Sequence, residues 1–346
     1  MQVIFCFHSH RGKSLFHFAA HRERFFFYFT ADSREFFVHF AAECRKIFLR
    51  FGADSRELRF HFAPHCGKIF LHFAANKELA RAMMRQKVHC IAYETVEDSQ
   101  GQLPILIPMS EVAGRMSVQE GAKYLEKPMR GKGILLGGIP GVAPANVLIL
   151  GAGVVGANAA KVAAGYGARV TVMDVNLSRL RYLEDISPKN AWFMMSNEHN
   201  IAERVARADL VICAALIRGA RSPLLIPRWM LKKMKPGSVL VDVAIDQGGC
   251  AETSHPTTHA SPTYVAEGIV HYCVTNIPGA VAVTSTYGLT NATLPFVLEI
   301  ARRGFAGSVK ANPALAKGVN ISRGKVTYRA TAEALDLPYR PLRNLL

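Results

Sequence analysis

Three glycines and one acid carry the densest chemistry in this 346-residue sequence. The apolar run VLIL at Val147 is followed by GAGVVG, then by the small-residue stretch NAAKVAAGYGA, then by the β-branched run RVTVMD that ends on Asp174. A strand, a tight turn, a helix and a second strand in that order make a dinucleotide-binding βαβ unit. Gly151 permits the turn, Gly153 lets backbone approach a pyrophosphate, and Gly156 lets the helix lie close to its strand. Val154 and Val155 start that helix, whose free N–H groups and positive dipole end suit phosphate. Asp174 is placed to accept hydrogen bonds from an adenosine ribose. A 2′-phosphate would be repelled there, so NAD is expected rather than NADP.

A second acid, Asp246, follows the apolar run from Ser238 to Ile245 and precedes Gln247, Gly248 and Gly249. Ligands of open parallel sheets bind beyond the carboxyl ends of strands, so Asp246 reads either as a catalytic or substrate-contacting carboxylate or as a turn former. His72, at the end of IFLHF, suits proton transfer near neutral pH. It also repeats His17, His39 and His61, which weakens a claim based on pattern alone. The histidines, cysteines and acids have no metal-ligand spacing, and no metal is expected. GxSxG and phosphate-loop lysine motifs are absent.

The elements that must hold these residues alternate. AWFMMS, DLVICAAL, PGSVLVDVAID and GIVHYCVTNI read as strands; NIAERVARA and PRWMLKKMK read as helices between them. Longer helices are expected from Met109 to Glu126 and from Thr284 to Gly304. Such alternation implies an α/β fold with a doubly wound parallel sheet. The NAD domain is expected over 105–281, and a second α/β domain over 69–104 and 282–346.

Residues 1–68 differ in kind. Of the 20 phenylalanines, 17 lie between Phe5 and Phe73, and Phe7, Phe18, Phe29, Phe40, Phe51, Phe62 and Phe73 recur every 11 residues. That period approaches three helical turns, yet Phe-X-Phe alternates like a strand. The conflict argues against a well-specified fold and for an in-frame tandem duplication.

The net charge of +16 is spread without a basic block, so a solvated basic surface is expected rather than a nucleic-acid site. A basic, aromatic interaction module at the N-terminus is the alternative from another functional class. The uncharged window from Gly133 to Ala160 is rich in glycine and holds two prolines, which suits a buried strand-turn-helix better than a membrane span. The start has no signal-peptide pattern. Seven scattered cysteines without a CxxC pair fit reduced thiols in a cytoplasm.

From about Ile69 to Leu346 the chain resembles bacterial alanine dehydrogenase, in the family that also holds the NAD-binding subunit of proton-translocating transhydrogenase. The resemblance is carried by FLHFAAN at Phe70, IAYETV at Ile91, PMSEVAGR at Pro108, LLGGIPGVAPANVLILGAGVVG at Leu135 and KPGSVLVDVAIDQGGC at Lys235. PTTH at Pro256, VHYCVTNIPGAV at Val270 and TSTYGLTNATLP at Thr284 complete it. It implies reversible oxidative deamination of L-alanine to pyruvate and ammonium with NAD, in a cytoplasmic hexamer. It makes His72 the general acid/base and Asp246 the catalytic aspartate beside the nicotinamide. It places Ser110, the glycine turn, Asp174, Arg179, Ser196, Leu216, Val243, Val274, Asn276 and Ile277 along the NAD site.

The sequence departs from the family in two places. Ala282 and Val283 stand where the family has a Pro-Arg pair. Neither the early arginine nor the lysine that hold the substrate carboxylate is found in residues 1–68, and Phe51 occupies the lysine's spacing. A catalytically defective NAD-binding remnant is therefore the alternative to a competent enzyme.

Overall fold

The computed structural model describes residues 77–215 and 222–346, and ahead of Lys77 only backbone strands lying between Ile4 and Phe60. His72, the phenylalanine repeats and Leu216 lie outside the described side chains. The chain divides into two compact units, one of residues 1–108 and 282–346, the other Met109–Val281.

The second unit is a seven-stranded sheet between helices. Its elements are α2 (Ile107–Tyr124, entering from the first unit), β2 (Asn146–Leu150), α3 (Val154–Gly165), β3 (Arg169–Asp174), α4 (Leu177–Ile186), β4 (Ala191–Met195) and α5 (Glu198–Arg207). They continue with β5 (Leu210–Cys213), α6 (Arg228–Leu231), β6 (Val239–Asp242), β7 (Thr263–Ala266) and β8 (Ile269–Tyr272). The order is β4-β3-β2-β5-β6-β8-β7, parallel except for the β7–β8 hairpin. The chain thus leaves β2 toward one edge and returns at β5 to build the other, and the crevice at the ends of β2 and β5 is the switch point where open α/β sheets bind ligands.

Period-two alternation explains why the strands are apolar throughout. Val147, Ile149, Val170, Val172, Leu210, Ile212, Val239 and Val241 pack on one face with α2 and α3. Leu148, Leu150, Met173, Val211, Cys213 and Leu240 pack on the other with α5 and α6. Both faces are covered, as parallel sheets require. Two small residues let helices approach. A Cβ on Gly114 of α2 would lie 2.2 Å from the Val155 carbonyl, and one on Gly121 would lie 2.6 Å from Leu210.

Under the sheet, Lys132 forms a buried ion pair with Asp209, donates to Ser238 Oγ at 3.1 Å, and leaves Asp209 Oδ2 to accept the Asn146 N–H at 2.7 Å. One charged network therefore ties the starts of β2, β5 and β6.

The described part of the first unit begins with α1 (Lys77–Arg85) and β1 (His89–Ala92). It resumes with α7 (Ala282–Ala311), α8 (Pro313–Gly318), β9 (Val319–Ser322), β10 (Lys325–Val326) and α9 (Arg329–Leu335). Strand β9 lies antiparallel between β1 and β10. A buried amide joins three elements: Asn320 Nδ2 donates to Thr95 Oγ1 at 2.7 Å, and Thr331 Oγ1 donates to Asn320 Oδ1 at 2.8 Å. The long helix expected from Thr284 to Gly304 is present from Ala282, and a second helix follows it to Ala311. Gly304 (φ 68°) breaks α7 into two helices, a left-handed residue that glycine adopts without a Cβ penalty. Among the described residues no helix is long and apolar enough to cross a membrane.

Candidate functional site

The glycine turn sits at the carboxyl end of β2. Gly151 has φ 111°, and a Cβ there would lie 2.6 Å from the Ala214 carbonyl at the end of β5. A Cβ on Gly156 would lie 1.8 Å from the Gly151 carbonyl, so the first turn of α3 closes onto the turn before it. Gly153 is the N-cap of α3, with no side-chain cap and no atom within 4 Å of its would-be Cβ. The Gly151 N–H donates to the Met173 carbonyl at 2.7 Å, so the open donors are those of the start of α3, the set that a pyrophosphate needs.

Asp174 ends β3 beside that turn. Its Oδ2 accepts the Ala152 N–H at 2.6 Å and its Oδ1 accepts the Asn176 N–H at 2.7 Å. Arg179, on the first turn of α4, donates from Nε (3.2 Å) and Nη2 (3.1 Å) to the Ala152 carbonyl. Ala152 is thus gripped on both flanking peptides, its N–H by a carboxylate and its carbonyl by a guanidinium. Asn176 caps α4 by accepting the Arg179 N–H at 3.1 Å. The Ser196 N–H donates to the Asp174 carbonyl at 2.9 Å, which brings the end of β4 to the same edge. Each carboxylate oxygen has two lone pairs, so Asp174 keeps acceptor capacity for a ribose after fixing the turn.

Asp246 lies at the same end of the sheet but not on a strand. The sequence suggests a strand from Ser238 to Ile245; the strand stops at Asp242, and Val243–Gln247 is a 3₁₀ turn. The cause is the Asp242 side chain. Its Oδ1 accepts the Ala244 N–H at 3.1 Å, and its Oδ2 accepts the Cys250 N–H at 2.8 Å and the Ser254 hydroxyl at 2.6 Å. A fully buried carboxylate with several donors on it clamps both ends of the turn that presents Asp246 to solvent. The Asn276 N–H approaches Asp246 Oδ2 at 3.5 Å, and Asn276 has a left-handed φ of 56°. Val274 and Ile277 are buried beside it, Val243 is half-buried in the turn, and Ser110 is half-buried on α2.

Two groups of the sequence-read residues therefore assemble separately: the glycine turn with Asp174, Arg179 and Ser196, and Asp246 with Asn276. His72 and Leu216 fall outside the described residues. Sequence reading missed Asp242, whose signal was its place four residues before Asp246 in a run otherwise too apolar to hold a carboxylate.

Family comparison matches the same regions. The C-terminal domain model of alanine dehydrogenase/PNT covers residues 117–329 and the N-terminal domain model covers 55–113. The chain belongs to the alanine dehydrogenase/PNT family. The family match reaches back to residue 55, ahead of the Ile69 where the sequence motifs begin. An alanine dehydrogenase of Methanococcus maripaludis is 56% identical over 270 residues, spanning 78% of this chain and 72% of the relative. That of Bacillus subtilis is 54% identical over 270 residues, with 78% and 71% covered. A solved L-alanine dehydrogenase superposes with a TM-score of 0.75 at 48% identity, covering 77% of this chain and 73% of that one. A transhydrogenase from Sinorhizobium meliloti shares the fold at a TM-score of 0.61 and 24% identity, with 75% and 72% covered. The family is one of oxidoreductases that use NAD(H), and the donor set at the glycine turn suits that cofactor.

Proposed function

We propose that this chain is an NAD-dependent alanine dehydrogenase: L-alanine, NAD⁺ and water give pyruvate, ammonium, NADH and a proton, and the reaction runs in both directions. The observation that carries the reading is the double grip of Asp174 and Arg179 on Ala152, in a chain 56% identical to a protein named alanine dehydrogenase. When bound, NAD⁺ supplies the acceptor for the alanine Cα hydride. The glycine turn and the start of α3 hold the phosphates, and Asp174 accepts from the ribose hydroxyls. Arg179 and Asn176 keep Asp174 and the turn in register.

In this reading Ser110, Val154, Val155, Ser196, Leu216, Val243, Val274, Asn276 and Ile277 line the cofactor. Asp246 stands by the nicotinamide end, held there through Asp242. His72 moves the protons of the carbinolamine stage. Residues 105–281 are the cofactor domain, and residues 69–104 and 282–346 handle the substrate. The chain acts as a cytoplasmic homohexamer, and light scattering that found a monomer at micromolar concentration would remove that part.

Turnover is impaired in this chain, because Phe51 stands at the spacing of the family's substrate-holding lysine and residues 1–68 lack the matching arginine. The same observation favours a second reading, an NAD-binding remnant with no turnover. NADH oxidation with pyruvate and ammonium together, compared with either omitted, separates them. A rate that needs both substrates supports the enzyme; no rate beside normal NADH binding supports the remnant.

A further inference from the structure

Beneath the turn that carries Asp246 lies a cluster that neither cofactor nor substrate uses in the reading above. Cys213 is the last residue of β5 and Asp242 the last of β6, and the two are register partners across the parallel ladder. Cys250 comes over them from the loop beyond the 3₁₀ turn, its N–H on Asp242 Oδ2 at 2.8 Å and its Sγ donating to the Ala215 carbonyl at 3.5 Å. Both sulfurs and a carboxylate oxygen lie within 4.8 Å of one another, and all three residues are 0% exposed. A third thiol, that of Cys273, stands behind Ser254 with Sγ 3.9 Å from its Oγ, while Ser254 itself donates to Asp242.

We propose that Cys213, Cys250 and Asp242 form a buried binding site for a thiophilic divalent cation of the zinc and cadmium class. Two thiolates and a carboxylate are ligands that such ions take in tetrahedral sites, with metal–sulfur bonds of about 2.3 Å and metal–oxygen bonds of about 2.0–2.2 Å. Those bond lengths put neighbouring donors roughly 3.3–3.8 Å apart, so the widest separation in the cluster has to close by about 1–1.5 Å. Cys273 or Ser254 is at hand for the fourth position. Binding is an exchange: each thiol loses one proton to solvent as its sulfur bonds the cation, and Asp242 enters as the carboxylate. The Cys213 thiol is hydrogen-bonded to Cys250 and buried, which together raise it well above the ordinary thiol range. Entry is slow because the site has no exposed ligand atom.

Sequence spacing hides this site, since its ligands are scattered over positions 213, 242 and 250. The consequence is regulatory. Asp242 and Cys250 flank the 3₁₀ turn, so a cation held between them shifts the loop that presents Asp246; this consequence, unlike the binding, rests on the proposed role of Asp246.

The test uses the full chain under reductant, titrated with Cd²⁺ and followed by the ultraviolet sulfur-to-cadmium charge-transfer band. One tightly bound equivalent is expected, with release of two protons and competition by Zn²⁺. Cys213→Ala and Cys250→Ala should each weaken binding by at least the roughly 10–100-fold that loss of even an outer partner of a metal site costs. Both variants are checked for NADH binding as evidence of folding. Should either fail to fold, wild type decides. Bound Cd²⁺ should protect Cys213 and Cys250 from alkylation in mild denaturant, as mapped on peptides, while leaving Cys90 unprotected. Full-strength binding in the variants, protection confined to other cysteines, or no charge-transfer band at one equivalent would each overturn the proposal.

Discussion

Asp174 Oδ2 accepts the backbone N–H of Ala152 at 2.6 Å, so the acid that ends one strand fixes the glycine turn that ends its neighbour. One side chain thereby shapes the glycine turn and, in the proposed reading, also accepts from the ribose. Hydrogen bonds to charged groups contribute about 1.5–3 kcal/mol each, so Asp174→Ala should weaken NADH binding by about tenfold or more in a fluorescence titration. NADPH, which the carboxylate disfavours, should lose less and so gain on NADH. Equal losses for the two nucleotides would mean that Asp174 acts through the turn alone.

The three glycines should separate on mutation. Gly156→Ala places a methyl 1.8 Å from a backbone carbonyl, which nothing but movement of α3 can relieve, and severe destabilisation or insoluble protein is expected. Gly153→Ala meets open space at an ordinary φ of −69°, so the fold should survive with a melting temperature close to wild type. Its methyl stands where backbone must approach phosphate, and NADH affinity should fall. Loss of fold in Gly153→Ala, or normal NADH binding in Gly156→Ala, would contradict this assignment.

The strand and helix pattern, the glycine turn and Asp174 were legible in the sequence because local geometry dictates them. Short β-branched apolar runs bounded by turn residues read as buried strands, and a positive φ at Gly151 admits little but glycine. The end of β6 was not legible. Its apolar run continues through Ile245, and only the fold reveals that Asp242 draws in the Ala244, Cys250 and Ser254 donors and ends the strand early. Asn276 and Asp246 are 30 residues apart and meet through the chain's return along β8, a contact that no local rule encodes.

The Lys132–Asp209 pair should be a stability determinant. Removing one partner of a buried ion pair leaves an uncompensated charge at a cost of about 3–5 kcal/mol. Lys132→Met should therefore lower the unfolding free energy of the cofactor domain by that order in urea denaturation, the more so because Asp209 also holds the Asn146 N–H. A change under about 0.5 kcal/mol, the range of ordinary surface substitutions, would mean the pair is solvated.

Glu94 predicts a pH dependence. Burial raises its carboxyl from 4.5 to about 8, partly opposed by a backbone hydrogen bond, and its Oε2 has no hydrogen-bond partner among the described residues. The folded state holds this proton more tightly than the unfolded chain does. The stability it contributes is complete below pH 4.5 and is lost as pH rises toward 8. Glu94→Gln cannot ionise, so the gap in melting temperature between variant and wild type should move in the variant's favour from about pH 5 to about pH 9. The expected movement is at least about 2–4 °C, the shift that one kcal/mol produces in a domain of 150–250 residues. A gap that stays constant across that range would place a cation beside Glu94.

In the proposed reading this alanine dehydrogenase keeps its cofactor site and lacks the cations that orient the substrate. Orientation supplies up to roughly 7–11 kcal/mol of a barrier in well-aligned cases, so hydride transfer should suffer far more than NADH binding. The decisive measurement is NADH formation from L-alanine at alkaline pH, per NADH-binding site, beside a family enzyme such as that of Bacillus subtilis. NADH affinity should lie near that of the relative, with turnover lower by more than about tenfold. Turnover within tenfold would contradict this reading and would place a substrate-holding cation somewhere in residues 1–76.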